Sequence, residues 1–145
     1  MTLETLPGWA GELVERARVA RLAYVDGEDR PRVLPVTFAV EGGAVWIAID
    51  DKPKRRPQPA RVGYLRRRPE AALVVDEYDD DWSRLWWVRC SGAAREVDDA
   101  IERGTALDAL ASKYRRYAVE PPDGPVVAID IDHISGWQAA PDLAS

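Results

Sequence analysis

Apolar and polar positions change their period several times along this chain, and each change marks an element boundary. Trp9, Leu13, Val14 and Ala17 recur near helical spacing with Glu12, Glu15 and Arg16 facing away. Pro7 suits a first-turn position, so the pattern predicts a helix over about 7–17. From Val19 the period shortens: residues 19–25 are apolar and β-branched and stop at Asp26-Gly27, a hairpin signal. Residues 32–40, with Val33, Val36, Thr37 and Phe38, predict a second strand. Pro35 has no N–H to give a ladder, which puts a bulge or a sheet edge close to it. Glu41-Gly42-Gly43 reads as a turn and residues 44–49 as a third strand, the three joined as an antiparallel meander.

Pro53, Pro57 and Pro59 make residues 50–59 a loop, followed by a short helix over 60–67 that ends before Pro69. Residues 71–78 predict a fourth strand, Asp79-Asp80-Asp81 a turn, and residues 85–96 a long fifth strand, aromatic at its start. Residues 98–117 read as a helix capped by Asp98, with Ile101, Leu107, Leu110, Ala111 and Tyr114 on its apolar face. Gly104 weakens its middle by ~1 kcal/mol relative to alanine. After the break at residues 121–125, residues 126–135 alternate as a sixth strand. Six hairpin-connected strands with two or three helices predict a mainly β fold, an antiparallel barrel with helical decoration. It is expected to form one domain over 1–145, with a tail from about 138. The first three strands have no crossovers between them, which disfavours a βαβ arrangement.

Composition narrows the function classes. The chain has 145 residues, room for a single core, and no apolar run near the ~20 residues that span a bilayer. Its start lacks a signal-peptide pattern, and Cys90 is the single cysteine, so an intramolecular disulfide is impossible and a cytoplasmic setting is expected. Net charge is −5, unsuited to nucleic acid as a partner. Positive charge nevertheless concentrates in Lys52, Lys54, Arg55, Arg56, Arg61, Arg66, Arg67 and Arg68, followed by the acidic Asp76, Glu77, Asp79, Asp80 and Asp81. A basic tract on an acidic chain suits a small anionic ligand.

Candidate chemistry is sparse. The one histidine, His133, has no Gly-x-Ser-x-Gly elbow to serve. One His and one Cys do not make a zinc site, and the carboxylates of 76–81 lack the EF-hand pattern and read as a solvated turn. No Gly-x-Gly-x-x-Gly follows a strand. No catalytic residue and no metal ligand is assigned. Two positive signals remain. Lys52-Pro53-Lys54-Arg55-Arg56 follows strand three, where a proline-stiffened loop presents cations to a phosphate. Trp82, Trp86 and Trp87 crowd six positions, and the last two point to opposite faces of a strand. One therefore enters the core and the other is left for a partner subunit or a planar ligand.

Four segments carry a resemblance: Arg18-Val19-Ala20-Arg21-Leu22-Ala23; Pro35-Val36-Thr37-Phe38-Ala39; Asp51-Lys52-Pro53-Lys54; and Tyr78-Asp79-Asp80-Asp81-Trp82-Ser83-Arg84-Leu85-Trp86-Trp87-Val88-Arg89. Ser135-Gly136-Trp137 closes the match, which spans the first helix to Trp137. The chain resembles the pyridoxamine-phosphate-oxidase-like split-barrel flavin/deazaflavin oxidoreductases, in particular an actinobacterial subgroup associated with the deazaflavin F420. The resemblance implies a homodimeric split β-barrel with two cofactor sites at the subunit interface. It implies a ring lying against Pro35, Val36 and Thr37, and a phosphate held by Lys52, Lys54 and Arg55 with Arg61 nearby. It implies Trp86, Trp87 and Arg89 contributed by the neighbouring subunit. The chain departs from the family at Gly63-Tyr64, where members often carry Arg-Asn. The expected function is F420-dependent hydride transfer to a small conjugated or heteroaromatic substrate. F420 is preferred over FMN because eight basic residues suit its longer, more anionic tail. The alternatives are an FMN-dependent oxidase or reductase and a non-catalytic carrier of F420 or haem.

Overall fold

The computed structural model describes residues 8–49 and 60–139, the side chains of 60 and 61 excepted. Helix α1 (Gly8–Arg16) leads into strands β1 (Ala20–Val25), β2 (Pro31–Val36), β3 (Ala39–Glu41) and β4 (Ala44–Ala48). Helix α2 (Ala60–Arg67), β5 (Glu70–Glu77), a 3-10 turn at Trp82–Arg84 and β6 (Trp86–Glu96) follow. Helices α3 (Ala100–Lys113) and α4 (Arg115–Val119) precede the last strand, β7 (Val126–Gln138).

The strands form one sheet in the order β2-β1-β5-β6-β7-β4-β3, every neighbouring pair antiparallel. This order dictates the shape. Strands β2 and β3 are the two edges, yet only Thr37 and Phe38 separate them in the chain. Laid flat, seven strands would hold their edges about 29 Å apart at the usual spacing. Three peptide links from Val36 to Ala39 reach about 11 Å. The sheet therefore curls until its edges meet at Thr37-Phe38, giving a half-barrel.

Two expectations are corrected here. Among the described residues the sheet has seven strands rather than six, because the single strand expected over 32–40 is two, β2 and β3. The first three strands are also not a meander, since β2 and β3 lie at opposite edges. At the step between them Phe38 turns fully into the core. Pro35 sits in an edge strand, where its missing N–H costs no ladder bond.

The concave face holds the main core, built from Leu22, Val45, Ile47, Leu73, Val88 and Ile129 with α1 packed over it through Ala10 and Val14. Helix α3 covers part of the convex face, over Trp46, Val126 and Ala128. Strand β4 is therefore buried on both faces along its whole length. Arg95 pins α3 to the sheet, reaching Glu102 at 2.6 Å and Asp130 at 2.7 Å. Asp99, not the expected Asp98, caps α3 by accepting from the Glu102 N–H at 2.9 Å. Ile101 points to solvent rather than onto an apolar face, and the helix breaks at Tyr114 instead of running to 117.

Two turns set the hairpins. Gly42 and Gly43, at φ of +66° and +80°, supply the left-handed pair that a tight β3–β4 connection needs. Between β1 and β2, Asp26 organises a wider loop. Its Oδ1 accepts from the Glu28 N–H at 2.8 Å and the Arg30 N–H at 3.0 Å, while Oδ2 accepts from Arg32 Nε at 2.8 Å. The Arg32 bond, then the backbone donors, hold its carboxyl down at about 2. Because the folded value lies below the ordinary 3.8, this stabilisation is present above about pH 4 and is lost as pH falls toward 2. Asp26→Asn is expected to melt earlier than the parent at pH 7, with the gap closing between pH 4 and 2. A gap that stays constant across that range would show that the charge contributes nothing.

Candidate functional site

The convex face outside α3 carries the candidate site, and the register shows what it presents. Residues opposite one another in antiparallel strands share a face. Pro35, Arg21, Val74, Arg89 and Ser135 form one such row across β2-β1-β5-β6-β7. The next row is Val33, Ala23, Ala72, Ser91 and His133, and a shorter row on the other side is Asp76, Trp87 and Trp137. No element among the described residues covers these rows. Val33 stays 68% and Trp137 45% exposed, values that leave large apolar side chains facing outward. Ser135 Oγ is buried without a hydrogen-bond partner among the described residues.

One end of this face is an aromatic cleft of about 400 Å³ lined by Arg21, Val74, Asp76, Glu77, Tyr78, Leu85, Trp86, Trp87 and Trp137. The acidic segment before β6 builds its rim. Asp79 Oδ1 accepts from the Asp81 N–H, and Asp81 Oδ1 accepts from both the Ser83 N–H and hydroxyl, starting the 3-10 turn. These Ser83 bonds hold the Asp81 carboxyl below its ordinary value. Alternation in β6 then separates the tryptophans. Trp86 enters the core, its indole N–H reaching Glu77 Oε1 at 3.4 Å, while Trp87 lies on the convex face under the Arg89 guanidinium, 5.5 Å from its ring centre. Arg21 bridges β1 to β5 through Asp76 at 3.0 Å.

At the seam between the sheet edges, Tyr114 and Tyr117 grip the link. Tyr114 Oη accepts from the Phe38 N–H at 3.1 Å and donates to the Arg18 carbonyl at 3.0 Å. Thr37 Oγ1 lies 2.7 Å from Tyr117 Oη. The Lys113 amine rests 3.6 Å above the Phe38 ring, and burial, with Arg18 beside it, pushes its pKa down to about 8.

The expected site residues thus fall in three places. Pro35, Trp87 and Arg89 are on the open convex face. Val36 faces the core and Thr37 the seam, while Trp86 is a core residue that edges the cleft. Lys52, Lys54 and Arg55 lie outside the described residues, as does the Arg61 side chain. Arg66 pairs with Glu96 and Arg68 with Asp29, so two cations of the basic tract are held by carboxylates. Tyr64, at the departure from the family pattern, stacks on Tyr24 at 6.3 Å. Cys90 is a packing residue whose thiol burial pushes up to about 11. Arg21, Asp76 and Tyr117 were not expected at the site. The alternation of β1 was the available signal for Arg21, and the i, i+3 spacing of Tyr114 and Tyr117 for the seam.

The curled antiparallel sheet, with α1 over its concave face and α3 over part of its convex face, is a half-barrel of the split-barrel kind. The chain belongs to the pyridoxamine 5'-phosphate oxidase family, which residues 10–138 match. No curated protein matches the sequence. Among solved structures, the conserved hypothetical protein Rv2991 from Mycobacterium tuberculosis is similar at a TM-score of 0.74 and 17% identity, over 92% of this chain and 86% of that one. A FAD-binding protein from Mesorhizobium loti is similar at 0.68 and 20% identity, over 93% and 96%. The haem storage protein HutZ from Vibrio cholerae is similar at 0.68 and 15% identity, over 95% of each. These likenesses establish the shared fold. No described helix is long and apolar enough to cross a membrane.

Proposed function

We propose that this chain is a homodimeric oxidoreductase that holds F420 across its subunit interface and reduces a small conjugated or heteroaromatic substrate. The observation that carries the reading is the uncovered convex face, where apolar, aromatic and arginine side chains stand together on five strands. Pro35 and Arg89 lie three strands apart on it, about 14 Å at the usual spacing. Two copies facing each other would bring Pro35 from one and Trp87 and Arg89 from the other close together against one ring. The same packing would cover Val33 and offer a partner to Ser135 Oγ.

Bound there, a reduced deazaflavin would supply the hydride that the substrate takes up. The chain's part is to bind and orient: Trp87 offers a flat face, Arg89 and the basic tract offer charge to an anionic tail, and the packed interface excludes water. F420 is preferred because eight basic residues between 52 and 68 suit its longer, more anionic tail better than a single phosphate, although Arg66 and Arg68 among them are paired with Glu96 and Asp29. FMN is the second reading, and a carrier role for F420 or haem without turnover is the third.

Titration of cofactor-free protein with F420, FMN and haem tests the ranking, read by tryptophan fluorescence. F420 is expected to quench at least about tenfold more tightly than FMN, a difference of 1.4 kcal/mol. Trp87→Phe should weaken the affinity and reduce the quenching, with Trp86 and Trp137 of the same cleft still reporting. Preferential FMN binding would replace F420, haem binding without turnover would support the carrier, and binding of none would reject the site.

A further inference from the structure

We propose that Tyr117 is a positioning residue, its phenol orienting the Thr37 hydroxyl so that Thr37 presents a hydrogen-bond donor to the ring lying against β2. The inference rests on the cofactor reading above and adds a residue to that site. Thr37 and Phe38 are the whole connection between the two sheet edges. Tyr114 holds its backbone: buried, it takes the Phe38 N–H and gives its own proton to the Arg18 carbonyl. Tyr117 does something different. The described hydrogen bond of its phenol goes to a side chain, Thr37 Oγ1 at 2.7 Å, and not to the backbone of the seam.

The break after α3 makes this contact. Tyr114 leaves helical geometry at φ −118° and ψ 114°, and the single turn of α4 then carries Tyr117 to the seam. Its ring is steadied edge-on against Tyr114 at 5.6 Å and 71°. Either hydroxyl could donate at this distance; a phenol is the stronger acid and an alcohol oxygen the better acceptor, so we take Tyr117 as the donor and Thr37 as the acceptor. A threonine hydroxyl has one donor and two acceptor sites. With the phenol on one lone pair, its own O–H is left to donate, and the two bonds in series strengthen each other. Flavin and deazaflavin rings both carry carbonyl oxygens and ring nitrogens that accept such a bond.

The test is the affinity of the full-length protein for F420 and FMN, alongside thermal melts, for Tyr117→Phe, Thr37→Val, Thr37→Ser and the Tyr117→Phe/Thr37→Val pair. Tyr117→Phe and Thr37→Val are each expected to weaken binding about five- to tenfold, the size of one hydrogen bond. The double variant should bind no worse than either single one, because both remove the same interaction. Thr37→Ser should restore affinity, and Tyr117→Phe should melt within about 3 °C of the parent, as a half-buried residue off the backbone seam would. Parent-like binding by Tyr117→Phe, effects that multiply, or a loss that merely follows the melting temperature would overturn the proposal. A parent protein that binds neither cofactor rejects the cofactor reading itself, and the pair's role falls with it.

Discussion

Gly92→Ala should lower the melting temperature by about 10 °C, the equivalent of about 3 kcal/mol or more in a domain of this size. The cause is a β-bulge. Between the pairs Ser91↔His133 and Gly92↔Ile131 the register shifts, leaving Asp132 as the extra residue on β7. The bulge draws the backbones together: a Cβ on Gly92 would stand 1.8 Å from the Asp130 carbonyl oxygen and 2.8 Å from its carbon. Both atoms are backbone, so no side chain can swing away. Relief requires parting β6 from β7, the longest pairing in the sheet. The φ of Gly92 is not in the left-handed region, so contact rather than torsion makes the glycine necessary. Gly104→Ala is the matched control. It sits inside α3 with nothing within 4 Å of its would-be Cβ, and should gain roughly 0.5–1 kcal/mol from helix propensity. A Gly92→Ala protein melting within about 2 °C of the parent would mean that the strands yield there at little cost.

Local pattern carried the elements well wherever punctuation was chemical. Residues 60–67, bracketed by Pro59 and Pro69, are helical over the expected span, and β5 and β6 begin within one residue of expectation. What the pattern could not carry was which edge a strand joins. The apolar run through Val36, Thr37 and Phe38 reads as one strand because alternation reports faces and says nothing of long-range partners. The chain instead changes edge in two residues, and only the β1–β2 and β3–β4 pairings reveal it. The end of the long helix failed for a related reason: periodicity continues through Tyr114, but its hydroxyl is committed to the seam and the helix gives way. At the candidate site, strand alternation separated Trp86 from Trp87. The pairing of Trp87 with Trp137, and the reach of Arg21 to Asp76, needed the register between β5, β6 and β7. The basic loop at 52–55 lies outside the described residues, so its part in the site rests on the sequence.

The convex face supplies the second large effect. For the dimer proposed above, Val33→Glu is expected to convert the protein to monomers and to weaken cofactor binding by about 100-fold or more. Val33 is 68% exposed on edge strand β2, in a row with Ala23 and Ala72, and makes no contribution to the concave core. Its replacement should therefore leave the isolated fold within about 0.5 kcal/mol of the parent. In a closed two-fold interface each substitution appears twice, and a carboxylate buried there without a partner costs several kcal/mol. A loss of about 3 kcal/mol already corresponds to more than a hundredfold in dissociation constant. Affinity for the cofactor falls with it, because in the proposed dimer Pro35 comes from one copy and Trp87 and Arg89 from the other. Light scattering after size exclusion gives the mass, against 16.2 kDa for one chain, and fluorescence titration of the same fractions gives the affinity. If Val33→Glu stays dimeric with parent-like binding, the interface lies elsewhere. If it becomes monomeric and still binds tightly, one copy holds the complete site, and the division of Pro35 from Trp87 and Arg89 between two subunits is wrong.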